Sequence, residues 1–241
     1  AETVMTELLL SDLESMERRI DPIEKKARSG EKEAKQQFAV MEPVLSALRD
    51  GKPARTVKIA DNDRAIFRQL NLLTAKPVLY ACNVEEGNAA DGNAHSEAVA
   101  AMAAAEGAGT VIVSAAIEAE VAQLGDAEEK REYLETLGLS EAGLDRVIHA
   151  GYSLLDLITF FTSGPKESRA WTVAAGTTAA PAAGKIHTDF ERGFIAAETI
   201  SYADFIECNG EQGAKDTGKM RLEGRDYTVQ DADVILFRFN V

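Results

Sequence analysis

Two short segments of the sequence carry side chains suited to binding a nucleobase. Asn83-Val84-Glu85-Glu86 offers an amide and, three residues on, a carboxylate, whereas Ser114-Ala115-Ala116 offers a hydroxyl followed by small residues. A carboxylate accepts hydrogen bonds from ring and exocyclic N–H groups, and an asparagine side chain both donates and accepts them. The small residues leave room for a flat ring beside their backbone amides. We therefore expect a base-binding site in which Asn83 ties the two segments together.

Each segment directly follows a predicted β-strand. The run KPVLYAC (76–82) and the run TVIV (110–113) are both apolar and rich in strand formers, and an Ala-rich helix is predicted between them over 94–106. Strand, helix and strand in this order indicate a βαβ unit with a parallel sheet. Ligands bind beyond the carboxyl ends of parallel strands, so the two segments are expected to be neighbours. The spacing N-x-x-E is weak by itself, and the alternative is that Asn83 caps a helix and Glu86 is a solvated surface acid.

Motifs for binding phosphate and metal are missing from this sequence. It contains neither G-x-x-x-x-G-K-[ST] nor D-x-x-G. Two cysteines, Cys82 and Cys208, exclude a disulfide framework and a four-thiolate zinc site within the chain. The scattered histidines His95, His149 and His187 disfavour a multi-histidine metal site. The residues present could thus hold a base but offer no visible means of holding phosphates and magnesium.

Residues 1–50 are predicted to form a helical hairpin. Two stripes of apolar residues recur at spacings of three and four and are separated by Ser29-Gly30, which favours two helices packed antiparallel. Pro43 lies in the second helix and should kink or restart it. The alternative to packing within one chain is a dimeric coiled coil. The two stripes comprise Leu9, Leu13, Met16, Ile20, Ile23 and Ala27, then Ala34, Phe38, Met41, Leu45 and Leu48.

The rest of the chain divides into further helices and a strand-rich end. A helix is predicted over 61–72 with Asp61 or Asn62 as its N-cap. After Phe160 the helical periodicity stops, and one helix opening at Thr177 and reaching Phe190 is expected among several strands. These elements predict an α+β module of about 80 residues. The other helices are predicted at 115–123, 127–137 and 141–158, and the strands at 169–174, 194–200 and 233–241.

Several isolated residues have structural roles as their simplest interpretation. His149 and His187 lack a nucleophile or carboxylate partner that the sequence could place, so we expect structural or surface roles for both. Cys82 ends a predicted strand and is expected to be a small buried residue. Trp171 alternates in a strand, which favours the core over a base-stacking platform. Residues 128–132 (EEKRE) are expected to form a solvated helix face.

Four stretches of the sequence resemble the YchF/Obg-like ATPases, in the Obg-related branch of the P-loop GTPase superfamily. They are TELLLSDLESMERRI, KPVLYACNVEEG, GLDRVIHAGYSLLDLITFFTSGPKESRAWTV, and the C-terminal stretch from AAGKIHTDFERGF to ILFRFNV. The resemblance extends over essentially the whole chain. It implies an α/β plus α+β fold, with a partial Rossmann-like P-loop NTPase domain, an inserted antiparallel helical hairpin and a C-terminal ubiquitin-like β-grasp (TGS) domain. The implied domains are the hairpin at 1–60, the nucleotide-domain part at 61–160 and the TGS domain at 161–241.

The resemblance also implies residue roles. Such proteins are similar to GTPases but prefer ATP, because N-x-x-E replaces N-K-x-D. The implied base-binding residues are Asn83, Val84, Glu86, Ser114, Ala115 and Ala116. Family members carry the P-loop and switch regions N-terminal to the resembling stretch, so the chain is expected to lack them and to be inactive alone. The expected cofactor is ATP, with Mg²⁺ bound only together with that P-loop part.

The expected function is that of a ribosome-associated ATP-binding protein or ATPase. The alternative is a non-catalytic module in which the hairpin and the TGS domain bind the ribosome or its RNA. A third possibility, a β-grasp regulatory module of an unrelated enzyme, would require the resemblance of residues 75–120 to be accidental. The chain has no apolar run of about 18 residues, and its N-terminus lacks the basic start of a signal peptide. We therefore expect a cytoplasmic monomer without membrane contact.

The charge distribution indicates which part of the chain could face RNA. The chain carries 26 basic and 40 acidic residues, a net charge of −14, and by itself this disfavours a polyanionic partner. Most of the excess acid lies in 59–164, whereas residues 18–35 are locally basic. Lys25, Lys26 and Arg28 are therefore the first candidates for contact with ribosomal RNA, although an ordinary mixed-charge helix tip is the alternative. The TGS domain ranks second and the acidic middle last.

Overall fold

The structure is a computed structural model that describes residues 2–240, and Val241, the end of the predicted last strand, lies outside the described residues. The chain forms two compact units. One comprises the chain up to Glu120 together with Leu137–Leu139, and the other comprises Val121–Thr136 together with the chain from Ser140 onward. The fold mixes helices with a two-stranded and a five-stranded sheet.

Two long helices, α1 (Glu2–Arg28) and α2 (Lys32–Arg49), form the predicted hairpin. Met16 of α1 and Val44 of α2 are fully buried in a shared core, and an ion pair of 3.0 Å joins Arg49 to Glu17. The prediction of packing within one chain is confirmed. Pro43 was expected to kink or restart the second helix, and the restart does not occur, because α2 is continuous through it. Proline removes a single hydrogen bond there, and residues on both sides remain buried in the core.

The next helix is shorter than predicted. A 3₁₀ turn at Asp61–Asp63 precedes α3 (Arg64–Gln69). The assignment of Asp61 or Asn62 as N-cap is wrong, since the cap position is Asp63 and its side chain makes no capping hydrogen bond with the described residues. The Asp61 carboxylate instead pairs with Arg64 at 3.0 Å.

The predicted βαβ unit is confirmed. It consists of β1 (Leu79–Asn83), α4 (Ala94–Glu106) and β2 (Gly109–Val113), and the two strands are parallel. A capping box of Asn93 and Ser96 begins α4, and Gly107 ends it with a positive φ of 68°. These two caps define both ends of α4, the helix that connects β1 to β2.

The helices of the following segment are present with earlier ends. They are α5 (Ala115–Val121), α6 (Ala127–Thr136) and α7 (Gly143–Leu154). The prediction of a helix to residue 158 is wrong at its end, because β3 (Leu157–Ser163) begins there. Asp156, with φ of +52°, reverses the chain between the helix and the strand. The predicted domain boundary at 160/161 falls within β3.

The second unit contains a five-stranded mixed sheet. Its further strands are β4 (Ser168–Ala174), β5 (Phe194–Ser201), β6 (Arg221–Glu223) and β7 (Asp233–Phe239). The order is β4-β3-β7-β5-β6, with β3 and β7 parallel and the other pairs antiparallel. The strands predicted at 169–174 and 194–200 are confirmed, the one predicted over 233–241 is present but ends at Phe239, and β3 and β6 were missed. Its helices are α8 (Ala179–Ile186), α9 (Thr188–Arg192), α10 (Tyr202–Glu207) and α11 (Glu211–Asp216).

Small residues on α8 let this helix pack closely in the core of the second unit. Ala179, Ala182 and Ala183 are fully buried there beside Phe160 and Phe237, whose rings meet edge-to-face at 5.9 Å. The single helix predicted from Thr177 to Phe190 is wrong. The chain is extended at His187, and its Nδ1 accepts a hydrogen bond from the amide of Asp189 (3.1 Å) to cap α9.

Trp171 packs against the same core, as predicted. Its ring is half-buried, and its Nε1 donates to the Thr162 hydroxyl at 2.9 Å. The Arg169 guanidinium lies 4.3 Å from the ring centroid.

Across residues 2–240, none of the helices combines the length and apolar character needed to span a bilayer.

Candidate functional site

The carboxyl ends of β1 and β2 lie side by side. Asn83 and Val113, the last residues of the two strands, are register partners. The Asn83 side-chain oxygen accepts a hydrogen bond from the Ala115 amide at 2.9 Å, and the Val84 amide donates to the Val113 carbonyl at 2.9 Å. The structure thus brings together the two predicted segments, and Asn83 ties one to the other. Its side-chain NH₂ group is then left as a donor at the sheet edge.

Buried side chains fix the positions of both loops. Val84 is 9% exposed, and Ser114 and Ile117 are each 1% exposed. The Ser114 carbonyl accepts from the Glu118 amide and so opens α5. The Ser114 hydroxyl is buried without a hydrogen-bond partner among residues 2–240. A buried hydroxyl without a hydrogen-bond partner is unfavourable. The Ser114 hydroxyl can therefore still form a hydrogen bond beside the loop that Asn83 holds.

The outer wall of the site is open to solvent. Glu86 begins a 3₁₀ turn (Glu86–Asn88) and its side chain is exposed, as are Ala115 and Ala116. A Cβ added at Gly87 would meet nothing within 4 Å, so the space beside the carboxylate is free. The Glu86 carboxylate and the small residues Ala115 and Ala116 are thus exposed on the two segments that Asn83 joins.

A buried carboxylate anchors the hairpin to the rest of the first unit, and the sequence analysis missed it. Asp12, 3% exposed, accepts hydrogen bonds from the amides of Leu73 (2.9 Å) and Thr74 (2.7 Å) and from the Thr74 hydroxyl (2.6 Å). The Thr74 hydroxyl in turn accepts from the Ala54 amide at 3.0 Å. Asp12 lies three residues after Leu9 and four before Met16, which places it on the apolar face of α1. An acidic residue at such a position was the sequence signal that could have indicated a buried carboxylate.

A second polar cluster lies behind β1. Glu106, at the end of α4, accepts from the Tyr80 hydroxyl (3.2 Å) and pairs with Arg55 (3.3 Å). Burial, and then the Glu106 carboxylate, raise the pKa of the Tyr80 phenol. The cluster joins β1, α4 and the segment after the hairpin, which supports the strand carrying Asn83.

Comparison with known proteins places the chain in a family. A family model named YchF-GTPase_C, described as a protein of unknown function (DUF933), matches residues 157–240. The chain is 52% identical over 240 residues to the Haemophilus influenzae ribosome-binding ATPase YchF, a match that includes 100% of this chain. The chain belongs to the YchF family. It is also 48% identical over 242 residues to the Bacillus subtilis ribosome-binding ATPase YchF.

Solved structures agree with membership of the YchF family. The Schizosaccharomyces pombe YchF GTPase is similar with a TM-score of 0.85 and 30% identity, covering 98% of this chain and 65% of that one. A GTP-binding protein from Pyrococcus horikoshii, at a TM-score of 0.60 and 19% identity, shares the fold. The chain spans 66% of the length of the curated YchF relatives named above.

The predicted RNA-contact residues lie on another element of the first unit. Lys25, Lys26 and Arg28 occupy the last turn of α1, where cations are favoured by the helix dipole, and all three are exposed. Arg28 pairs with Glu24 at 2.6 Å. These side chains project from the hairpin tip and take no part in the Asn83 site.

The remaining residues considered from the sequence have local contacts. His149 Nδ1 lies 3.2 Å from the Glu141 carboxylate, and His187 caps α9. Cys82 is half-buried, less than expected, and Cys208 Sγ lies 3.3 Å from the Thr217 hydroxyl. Residues 2–240 contain no cluster of side chains able to hold a metal ion.

Proposed function

We propose that this chain is the base-binding part of a ribosome-associated YchF-type ATPase. The observation that carries the proposal is the 2.9 Å hydrogen bond between Asn83 Oδ1 and the Ala115 amide, which holds two loops at adjacent strand ends. Ligands of parallel α/β sheets bind at such an edge. Curated relatives at 52% and 48% identity are named ribosome-binding ATPases, which supports the same activity for the protein to which this sequence belongs.

In this proposal the βαβ unit is part of a Rossmann-like nucleotide domain into which the helical hairpin is inserted. The five-stranded sheet with α8 is a β-grasp TGS domain. We place its start at Leu157, where β3 begins, rather than at residue 161. The order β4-β3-β7-β5-β6, with its central parallel pair, supports this assignment.

Each base-binding residue has a proposed role. Asn83 orients the loops and donates from its NH₂ group to a purine ring nitrogen, while Val84 and the small residues Ala115 and Ala116 lie against the ring. Glu86 accepts from an exocyclic amino group at the rim. The Ser114 hydroxyl, buried without a partner among the described residues, is left available to hydrogen-bond with the bound base. Adenine is favoured over guanine because Glu86 stands where N-K-x-D has an aspartate. The glutamate side chain is longer than aspartate and pairs poorly with the adjacent N1–H and 2-amino groups of guanine.

Base selectivity tests the site directly. We expect the chain to bind a fluorescent ATP analogue more tightly than the GTP analogue, and Glu86→Asp to shift this ratio toward GTP by about tenfold, which corresponds to ~1.4 kcal/mol. Glu85→Asp is the matched control, since Glu85 is an exposed acid next in sequence. An unchanged ratio in Glu86→Asp would remove Glu86 from the site.

Hydrolysis requires groups outside this sequence in our proposal. Phosphoryl transfer to water depends on a P-loop and Mg²⁺ that stabilise the developing charge, and the sequence has no P-loop motif. We expect no phosphate release above background from this chain with ATP and Mg²⁺, beside clear release from a full-length relative. Robust turnover by the 241-residue chain would contradict the assignment.

A second candidate function is a non-catalytic module that binds the ribosome through the hairpin and the TGS domain. The exposed cations Lys25, Lys26 and Arg28 at the hairpin tip favour it. We expect replacement of all three by Glu to weaken cosedimentation with bacterial ribosomes and to reduce its salt dependence. The matched control replaces Arg64, Arg68 and Lys76, three exposed cations of the acidic middle. Equal binding by the two variants would argue against an RNA-facing tip.

A further inference from the structure

An open apolar groove lies between α7 and β3 in the second unit. It encloses about 370 Å³ and is lined by Ile148, Tyr152, Leu157 and Phe161. Ile148 is 45% exposed although it is a large aliphatic residue. The Phe161 ring lies 5.9 Å from the ring of Tyr202, which is 51% exposed, so the apolar surface continues beyond the groove. Contiguous exposed apolar surface of this kind marks an interaction site.

The helix that forms one wall of the groove presents its apolar stripe to solvent. Leu144, Ile148 and Tyr152 of α7 and its C-cap residue Leu155 recur at spacings of four, four and three, which places the three helical residues on one face. Leu144 is 60% exposed and Leu155 is 54% exposed. A helix of a globular protein normally buries such a stripe against its own core, so this face is suited to a partner.

The rim of the groove is acidic. Asp231 lines it, and its Oδ1 accepts from the Thr159 amide at 2.8 Å, which fixes the carboxylate in place. At the other side Glu141 pairs with His149, which also lines the groove. Asp145 lies one turn before His149 on the same helix and is exposed. The groove therefore combines an apolar floor with one carboxylate in its lining, that of Asp231, and two further acids, Glu141 and Asp145, lie near the start of α7.

The charge of the whole second unit has the same sign. Val121–Thr136 and the chain from Ser140 onward carry 20 acidic and 12 basic residues, a net charge of −8. An RNA backbone would be repelled by this face, because binding phosphates requires clustered Lys and Arg. A cationic partner would be attracted, since complementary charge speeds and orients association.

We propose that this groove docks a basic amphipathic segment of a partner protein. Its apolar side chains would enter between Ile148 and Phe161, and its Lys or Arg side chains would face Asp231 and the acids of the α7 rim. Helix-in-groove recognition places the apolar face of an amphipathic helix in such a cleft, and complementary charge orients the helix. The inference goes beyond the proposed function, because it assigns a protein ligand to a face that includes neither the Asn83 site nor the hairpin tip.

The test is binding of a labelled model helix to the full chain, followed by fluorescence anisotropy. The probe is a synthetic amphipathic Leu/Lys peptide, and its Leu/Glu counterpart serves as the charge control. We expect saturable binding of the Leu/Lys peptide alone, weakened about tenfold by Ile148→Ser through loss of one aliphatic contact. Asp231→Asn should weaken binding less, about threefold, and make it less sensitive to salt.

Matched variants distinguish binding in the groove from nonspecific binding to other exposed apolar or acidic residues. Leu222→Ser removes a 72% exposed leucine of β6 in the same unit, and Asp226→Asn removes an exposed carboxylate of a nearby loop. Both should leave peptide binding unchanged. Equal weakening by Ile148→Ser and Leu222→Ser, or equal binding of the Leu/Glu peptide, would overturn the proposal. The nucleotide-binding assay concerns the Asn83 site. A negative result with the peptide would therefore leave the proposed nucleotide selectivity untouched.

Discussion

Removing the Asp12 carboxylate should strongly destabilise the first unit. The side chain is 3% exposed and accepts three hydrogen bonds of 2.6–2.9 Å from the segment at Leu73 and Thr74. In Asp12→Ala those donors lose their acceptor inside the protein, and each buried unsatisfied donor costs ~1–3 kcal/mol. Since the losses are partly shared, we expect a total of about 3–5 kcal/mol, which is a large part of the ~5–15 kcal/mol that stabilises a typical domain.

The conservative variant sharpens this prediction. Asp12→Asn keeps one acceptor oxygen but directs an NH₂ group at a donor, so about 2–3 kcal/mol should be lost. Urea unfolding followed by circular dichroism at 222 nm reports on the long helices α1 and α2. With a slope of ~1–3 kcal/mol per molar urea, the midpoint should fall by about 1 M or more.

An exposed acid on the same helix provides the control for Asp12. Asp21→Asn should change the free energy of unfolding by less than about 0.5 kcal/mol. Unfolding of Asp12→Ala at the same urea concentration as Asp21→Asn would contradict a stabilising role for Asp12. It would then follow that the Asp12 contacts contribute nothing beyond those of a solvated carboxylate.

Two further predictions concern the second unit. Burial and a hydrogen bond to a neighbouring carboxylate raise the pKa of Tyr227 to about 12, so its stabilising effect is complete below about pH 10 and is lost as the pH rises through about 12. Absorbance titration at 295 nm should lose its most alkaline phase in Tyr227→Phe, whereas Tyr152→Phe should remove an earlier phase, because hydrogen bonds with Thr172 and then Thr159 lower the pKa of Tyr152. Gly213→Ala should cost about 1–3 kcal/mol, because its Cβ would overlap the Cys208 carbonyl, and Gly224→Ala should be tolerated since nothing lies within 4 Å. Equal melting temperatures for the two alanine variants would contradict that steric argument.

The elements with strong periodicity were predictable from the sequence. The hairpin followed from stripes such as Met16 and Leu45, and the βαβ unit followed from two apolar runs around a capped helix. Boundaries were less predictable where two patterns overlap. The apolar stripe of α7 continues into LITFFTS, so only the left-handed backbone at Asp156 separates helix from strand. The three-residue strand β6 is too short for any period to appear.

The candidate site was likewise predictable from the sequence only in part. The sequence predicted that Asn83 would tie the loops, because strand ends in a parallel pair are neighbours. It did not predict that Asp12 anchors the hairpin, since that role depends on a segment 61–62 residues away. Nor did it predict the groove at Ile148, because an exposed apolar stripe and a buried one have the same spacing in a sequence.

In the proposed site a purine base binds between Asn83 and Ala115. The most direct measurement is a nitrogen-15 correlation spectrum of the full chain titrated with adenosine and, separately, with guanosine. We expect saturable shifts of the Ala115 amide and the Asn83 side-chain NH₂ with adenosine, smaller shifts with guanosine, and none at Ala115 in Asn83→Ala. Identical responses to the two nucleosides, or shifts confined to other residues, would contradict the claim.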